Sequence, residues 1–143
     1  MIGKISRLPL RSVWKHEAIN FSTWLEENLD ALCDAVGITM MNPQREIEVG
    51  TFKVDLLAED EIGARVIIEN QLEKSDHDHL GKVLTYLTGL DAKTAIWISP
   101  EPRQEHIKAI AWLNEYSDAS FYFSENRGDS ELESRNPHPC LRC

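Results

Sequence analysis

Asp55 and Glu69, acidic residues on neighbouring extended segments, are the side chains whose type and spacing point most directly to chemistry. From Phe52 to Glu59 the residues Phe52, Val54, Leu56 and Ala58 alternate with Lys53, Asp55 and Leu57, the period of a strand. Ala64 to Gln71 is a second strand-forming run. Between them, Glu61-Ile62-Gly63 suits a three-residue hairpin loop with Gly63 in the left-handed position. A loop of that length fixes the register. Glu59 then faces Arg65 and, counting back, Asp55 faces Glu69 and Lys53 faces Gln71. Gly50-Thr51, with glycine first, suits a type II′ turn after a strand from Arg45 to Val49. This turn puts Val49 opposite Phe52, Glu48 opposite Lys53 and Glu46 opposite Asp55. One face thus carries Glu46, Glu48, Lys53, Asp55, Glu69 and Gln71. The other, with Phe52, Val54, Leu56, Ala58, Val66 and Ile68, is the expected core.

Carboxylates facing each other across a ladder, with Cβ atoms about 5 Å apart, repel unless a cation lies between them. One or two carboxylates with water suit Mg2+ or Mn2+ better than zinc, which favours sulfur and imidazole. The same residues also read as a solvated acidic sheet face, balanced by the pairs Glu59 with Arg65 and Glu48 with Lys53. Pattern alone leaves both readings open.

The elements around these strands set the class. Residues 22 to 36 place Leu25, Leu29, Leu32 and Val36 on one helical stripe, capped by Ser22 or Thr23 and stopped at Gly37. Trp14, Ala18 and Phe21 mark a shorter helical or turn segment before it, carrying His16 and Glu17. After the meander, residues 75 to 89 give a helix with Ser75 or Asp76 as cap and Leu80, Val83, Leu84 and Leu87 inward. His77 and His79 open that helix, where backbone amides favour phosphate. A buried strand, Thr94 to Ser99, is closed by Pro100, and Pro102 leads into a helix carrying Ile107, Ile110, Ala111 and Leu113. Phe121 to Phe123 forms a short last strand. Trp14, Trp24, Trp97 and Trp112 fall on apolar stripes and are expected in the core. The order helix, three-stranded antiparallel meander, helix, parallel fourth strand, helix is α/β with a mixed sheet.

The chain has 143 residues, the size of one domain. The expected division is a folded unit over residues 1–123 and a polar tail over 124–143. His138, Cys140 and Cys143 in that tail offer too few ligands for a structural zinc site. Three cysteines, without the even count of a disulfide framework, suit a reducing compartment. No apolar run reaches the roughly 18 residues of a membrane span and no secretory stretch opens the chain, so a cytoplasmic protein is expected. The formal charge is −9, and residues 45–99 hold six basic against eleven acidic groups. A surface that grips nucleic acid is usually basic, so basic surface would have to come from a second copy or a partner protein.

Phe52-Lys53-Val54-Asp55-Leu56-Leu57-Ala58, a turn, and Val66-Ile67-Ile68-Glu69-Asn70-Gln71 resemble the D…(D/E)xK signature of the PD-(D/E)XK, or restriction-endonuclease-like, nuclease superfamily. The closer resemblance is to uncharacterised bacterial proteins with a nuclease-like N-terminal domain. It runs through Trp14-Lys15-His16-Glu17-Ala18, Val49 to Asp55, Ile68 to Gln71 and Asp76-His77-Asp78-His79-Leu80-Gly81, and covers roughly residues 8 to 117. It implies that Asp55, Glu69 and the backbone carbonyl of Asn70 hold Mg2+ or Mn2+. Glu17 would complete the acidic pocket, with Glu26 as second choice. The implied activity is hydrolysis of DNA phosphodiester bonds, the metal polarising the phosphate and activating water. Val54 stands where the family has proline, and Gln71 where it has a lysine. Gln71 carries no charge; Lys82 or Lys53 would then supply it. Lys82 and Tyr86 stand where similar nucleases carry a Gln-x-x-x-Tyr pair. His77, His79, Tyr86 and Lys53 are the expected substrate contacts. A nuclease-fold module with a weakened site, used for binding, is the competing expectation, and a metal hydrolase acting on another substrate is a third.

Overall fold

A computed structural model describes residues 4–9, 18–71 and 75–127. The elements are β1 (Lys4–Pro9), α1 (Ala18–Glu27), α2 (Leu29–Val36), β2 (Met41–Val49), β3 (Phe52–Glu59), β4 (Arg65–Asn70), α3 (His77–Gly89), β5 (Thr94–Ser99), α4 (Gln104–Tyr116) and β6 (Ser120–Arg127). Six strands form one sheet in the order β1-β6-β5-β4-β3-β2. The meander β2-β3-β4 is antiparallel, and β4, β5, β6 and β1 run parallel. The α3 and α4 connections are the crossovers that parallel neighbours require.

Both sheet faces are packed. On one, Leu25, Leu29 and Leu32 of α1 and α2 meet Leu56, Ala58, Val66, Ile68, Ile96 and Ile98. On the other, Val83, Tyr86 and Leu87 of α3 and Ile107 and Ile110 of α4 meet Ile67, Ala95, Trp97, Phe121 and Phe123. Val66 to Asn70 and Ala95 to Ser99 are therefore buried without alternation, as central strands covered on both sides must be. The reading of Asp55 and Glu69 as part of a solvated face fails here, because crossover helices lie over it.

The two turns form as expected. Gly50 has φ 64° and Gly63 φ 87°, and Val49 pairs with Phe52, Glu48 with Lys53, and Glu59 with Arg65. The pairs Arg45 with Leu56 and Ile47 with Val54 bracket Glu46 opposite Asp55. Asp60 ties the second turn by accepting the N–H groups of Ile62 and Ala64 at 3.0 and 2.9 Å.

Several expectations are corrected. The single helix over 22–36 is two helices, because Asn28 turns its side chain onto the Trp24 carbonyl at 2.9 Å and leaves helical geometry. Strand β2 begins at Met41, before Pro43 and through a register shift. As an edge strand it tolerates a proline and the positive φ of Asn42 and Glu46. Phe52 is 54% exposed, on the last pair before the β2–β3 turn. Trp97 is buried and Trp24 packs on the core, but Trp112 is 59% exposed and meets Tyr116 in a tilted contact. Strand β6 continues through Arg127, past the expected end at Phe123, and pairs with β1, which local pattern had not marked. Trp14, Glu17, His138, Cys140 and Cys143 lie outside the described residues. Among the described residues no helix is long and apolar enough to cross a membrane.

Candidate active site

The site forms where the β3–β4 ladder gives out. The last paired residues are Leu56 and Ile68. One step further, side chains replace the backbone pairing: the Asn70 N–H donates to Asp55 Oδ2 at 2.8 Å, and the Asp55 N–H to Glu69 Oε2 at 3.4 Å. Asp55 and Glu69 are thus neighbours, as the register predicted. Glu69 is 4% exposed.

Burial, and then the charge of Asp55, push the Glu69 carboxyl up to about 9. Burial also raises Asp55, against the opposing pull of the Asn70 N–H, its hydrogen bond with Glu69 and the charges of His79 and Lys82. Two buried carboxyls this close disfavour carrying two charges at once. This pair needs a proton or a cation. Among the described residues no group of three or more His, Cys, Asp or Glu side chains surrounds a common point. Two hard carboxylate oxygen donors beside open backbone fit a cation that keeps part of its water, as Mg2+ does.

Helix α3 lies over the pair. Its spacing puts His79, Lys82 and Tyr86 along one side. Lys82 is 36% exposed and lies 3.8 Å from Asp78, and its charge acts on both Asp55 and Glu69. Tyr86 is buried, and burial followed by the charges of Glu69, Asp55 and Asp78 lifts its phenol to about 12. It stays a neutral donor.

Asp76 caps α3, accepting the His79 N–H at 2.8 Å and contacting His79 Nδ1 at 3.0 Å. Burial pulls Asp76 upward, but His79 and Gln71 outweigh it and hold the carboxylate below its usual range. Gln71 is buried, with its Oε1 accepting the Trp97 indole N–H at 3.0 Å and its side chain bonding Asp76.

Other expected members are elsewhere. Lys53 is exposed opposite Glu48, and the ladder ends before it could face Gln71. Glu26 is held by Arg45 at 2.8 Å. His77 turns away from His79 and meets His106 of α4, Nδ1 to Nε2, at 2.8 Å. His106 Nδ1 lies 2.7 Å from the buried Ser75 hydroxyl, which also accepts the Arg103 N–H at 2.8 Å. Burial, then the neighbouring His77, lowers His106 and keeps it neutral. Sequence reasoning missed His106 and the role of Asp76 beyond its cap. The sequence did hold a signal for the first, since His106 adjoins Ile107 and Ile110 on the inner stripe of α4.

No family model matches the sequence, and no curated protein does either. Solved structures do resemble the fold. A repair endonuclease from Pyrococcus abyssi aligns with TM-score 0.60 and 17% identity over 80% of this chain and 48% of that one. EndoMS bound to double-stranded DNA aligns with TM-score 0.51 and 18% identity, over 73% and 43% of the two chains. Apo EndoMS gives TM-score 0.51 and 16% identity, over 77% and 47%. The chain therefore shares its fold with these proteins, one of them a repair endonuclease, while spanning about half their length.

Proposed function

We propose that the chain is a metal-dependent nuclease domain that hydrolyses DNA phosphodiester bonds, with Asp55, Glu69 and the Asn70 carbonyl as ligands for Mg2+ or Mn2+. The observation that carries this reading is the buried pair of carboxyls at the end of the β3–β4 ladder, each accepting a backbone N–H there, beneath Lys82. The shared fold with repair endonucleases supports it, and one of those neighbours is a complex with double-stranded DNA. In an extended strand the N–H and C=O of one residue leave on the same edge. The Asn70 N–H reaches Asp55, so its carbonyl is directed to that side too.

A divalent cation there supplies Lewis acidity to a phosphate oxygen and to the attacking water. The chain's own groups do the rest. Lys82 offers its ammonium to the phosphate in place of the lysine absent at Gln71, and Tyr86 donates a hydrogen bond beside it. The net charge of −9 predicts a weak, salt-sensitive grip on DNA. A second copy or a partner protein supplies the basic surface.

The test is incubation with supercoiled, linear and single-stranded DNA in Mg2+ or Mn2+, comparing wild type with Asp55→Ala. Metal-directing side chains one shell out are worth about 10–100-fold, so loss of a direct ligand is expected to cost more. A wild type that cuts none of these substrates and binds no divalent metal returns the chain to a binding module.

A further inference from the structure

We propose that the Asn70 side chain is a positioning residue of the metal centre, its amide hydrogen-bonding a water of the cation's shell from the face of the sheet opposite Lys82. This rests on the nuclease reading and deepens it, since there the Asn70 backbone alone takes part.

Among the described residues, the buried side-chain atoms without a hydrogen-bond partner are Nδ2 and Oδ1 of Asn70. The residue is 5% exposed. Leaving such an amide unpaired costs stability at each atom, and the packing around it gives no reason to bear that cost. Strand alternation sends Gln71 to the buried Trp97 and Asn70 to the opposite face, after Ile68 and beside its strand partner Ile98. Those two are core residues beneath α1 and α2. An apolar side chain would suit the position, as it does at Val66 and Ile68 on the same face.

What sets position 70 apart is its place at the carboxylates. The Asn70 N–H donates to Asp55 Oδ2 at 2.8 Å, so bond lengths keep the side-chain amide within about 8 Å of that oxygen in any rotamer. A cation on Asp55, a water on that cation and a hydrogen bond to the water span about 7 Å. The amide is therefore within reach. It gives up no hydrogen bond when it turns to the water, and its Oδ1 can accept from it. Mg2+ keeps several of its waters, and groups that hold the ligands around an ion fix its coordination. Lys82 acts from α3 on one side of the sheet, and Asn70 holds from the other.

Asn70→Leu tests this, because it removes both unpaired atoms at nearly constant shape and leaves the backbone carbonyl in place. Without metal the variant is expected to unfold about 3 °C or more above wild type. Its affinity for Mn2+, by calorimetry at pH 7, is expected to be lower by about 10–100-fold. Binding should still release about one proton, because Glu69 is intact. Asn70→Ala, too small to crowd the strand, is expected to show the same loss of Mn2+ affinity. In wild type, adding Mg2+ is expected to move the Asn70 side-chain amide resonances in NMR spectra. Resonances that stay in place overturn the proposal, and so does a metal-free Asn70→Leu protein less stable than wild type, since the amide would then be paired. If wild type binds Mn2+ and both variants bind it equally well, the Asn70 role fails while the metal reading stands. If wild type binds no Mn2+, the metal reading fails first and the Asn70 role falls with it.

Discussion

Glu69→Gln is expected to make the protein more stable at pH 8 while abolishing its cutting of DNA. The folded chain holds the Glu69 proton up to about pH 9, against 4.5 for the ordinary carboxyl. Between those values the native state binds a proton that the unfolded state has released, so stability falls as pH rises. The stability linked to that proton is complete below the unfolded value and is lost as pH climbs through the folded one. Glutamine removes the ionisation, and its carbonyl can still accept the Asp55 N–H. A variant that need not take up a proton on folding at pH 8 gains on the order of 2 kcal/mol, a fraction of the upper bound, which the shift sets at roughly 1.4 kcal/mol per pH unit. For a chain of this size that is a rise of roughly 6 °C in the unfolding midpoint. Thermal unfolding without divalent metal checks it, with wild type and variant compared at pH 5 and pH 8. The gap should open at the higher pH. Equal midpoints at pH 8 would mean that Glu69 sits in the fold without strain. On the activity side, loss of a direct ligand costs more than about 100-fold, so stability and cutting move in opposite directions.

Lys82→Ala is expected to lower the cutting rate by about 10²–10³-fold, the cost of removing one group that stabilises transition-state charge. Lys53→Ala should leave the rate within about twofold, since surface substitutions away from a site do little. The contrast follows from placement. Lys82 acts on both carboxyls from α3, whereas Lys53 is exposed on the hairpin opposite Glu48. Lys82 is itself partly exposed and lies 3.8 Å from the exposed Asp78, so its loss should not unfold the chain. Rates for the two variants on the same substrate decide the matter, and an unchanged rate in Lys82→Ala removes it from the site.

Much of this centre was legible because hairpin loops impose register. Gly50 and Gly63 fix two turns, and the second brings Asp55 to Glu69 by counting alone. The same counting failed one step later. It carried Lys53 to Gln71, but the ladder stops at Leu56 and Ile68, where the carboxyls take over the backbone hydrogen bonds. Alternation also could not say whether the acidic face is wet. That depends on where the crossover helix after β4 comes to rest, and α3 rests on it. Contacts between residues far apart in sequence were out of reach for the same reason. Gln71 meets Trp97, His77 meets His106, and β1 meets β6 only after the sheet has assembled. Trp112 shows the converse error, an aromatic residue judged by its type whose helix position leaves it outside.

The most direct measurement is calorimetric titration of Mn2+ into wild type and Glu69→Gln at pH 7, in two buffers of different ionisation enthalpy. If Asp55 and Glu69 hold the metal, wild type binds it and releases about one proton as it does so. Glu69→Gln, folded and at least as stable, binds far more weakly and releases none. Equal binding by both proteins, or binding by neither, would contradict the carboxyl pair as a metal centre.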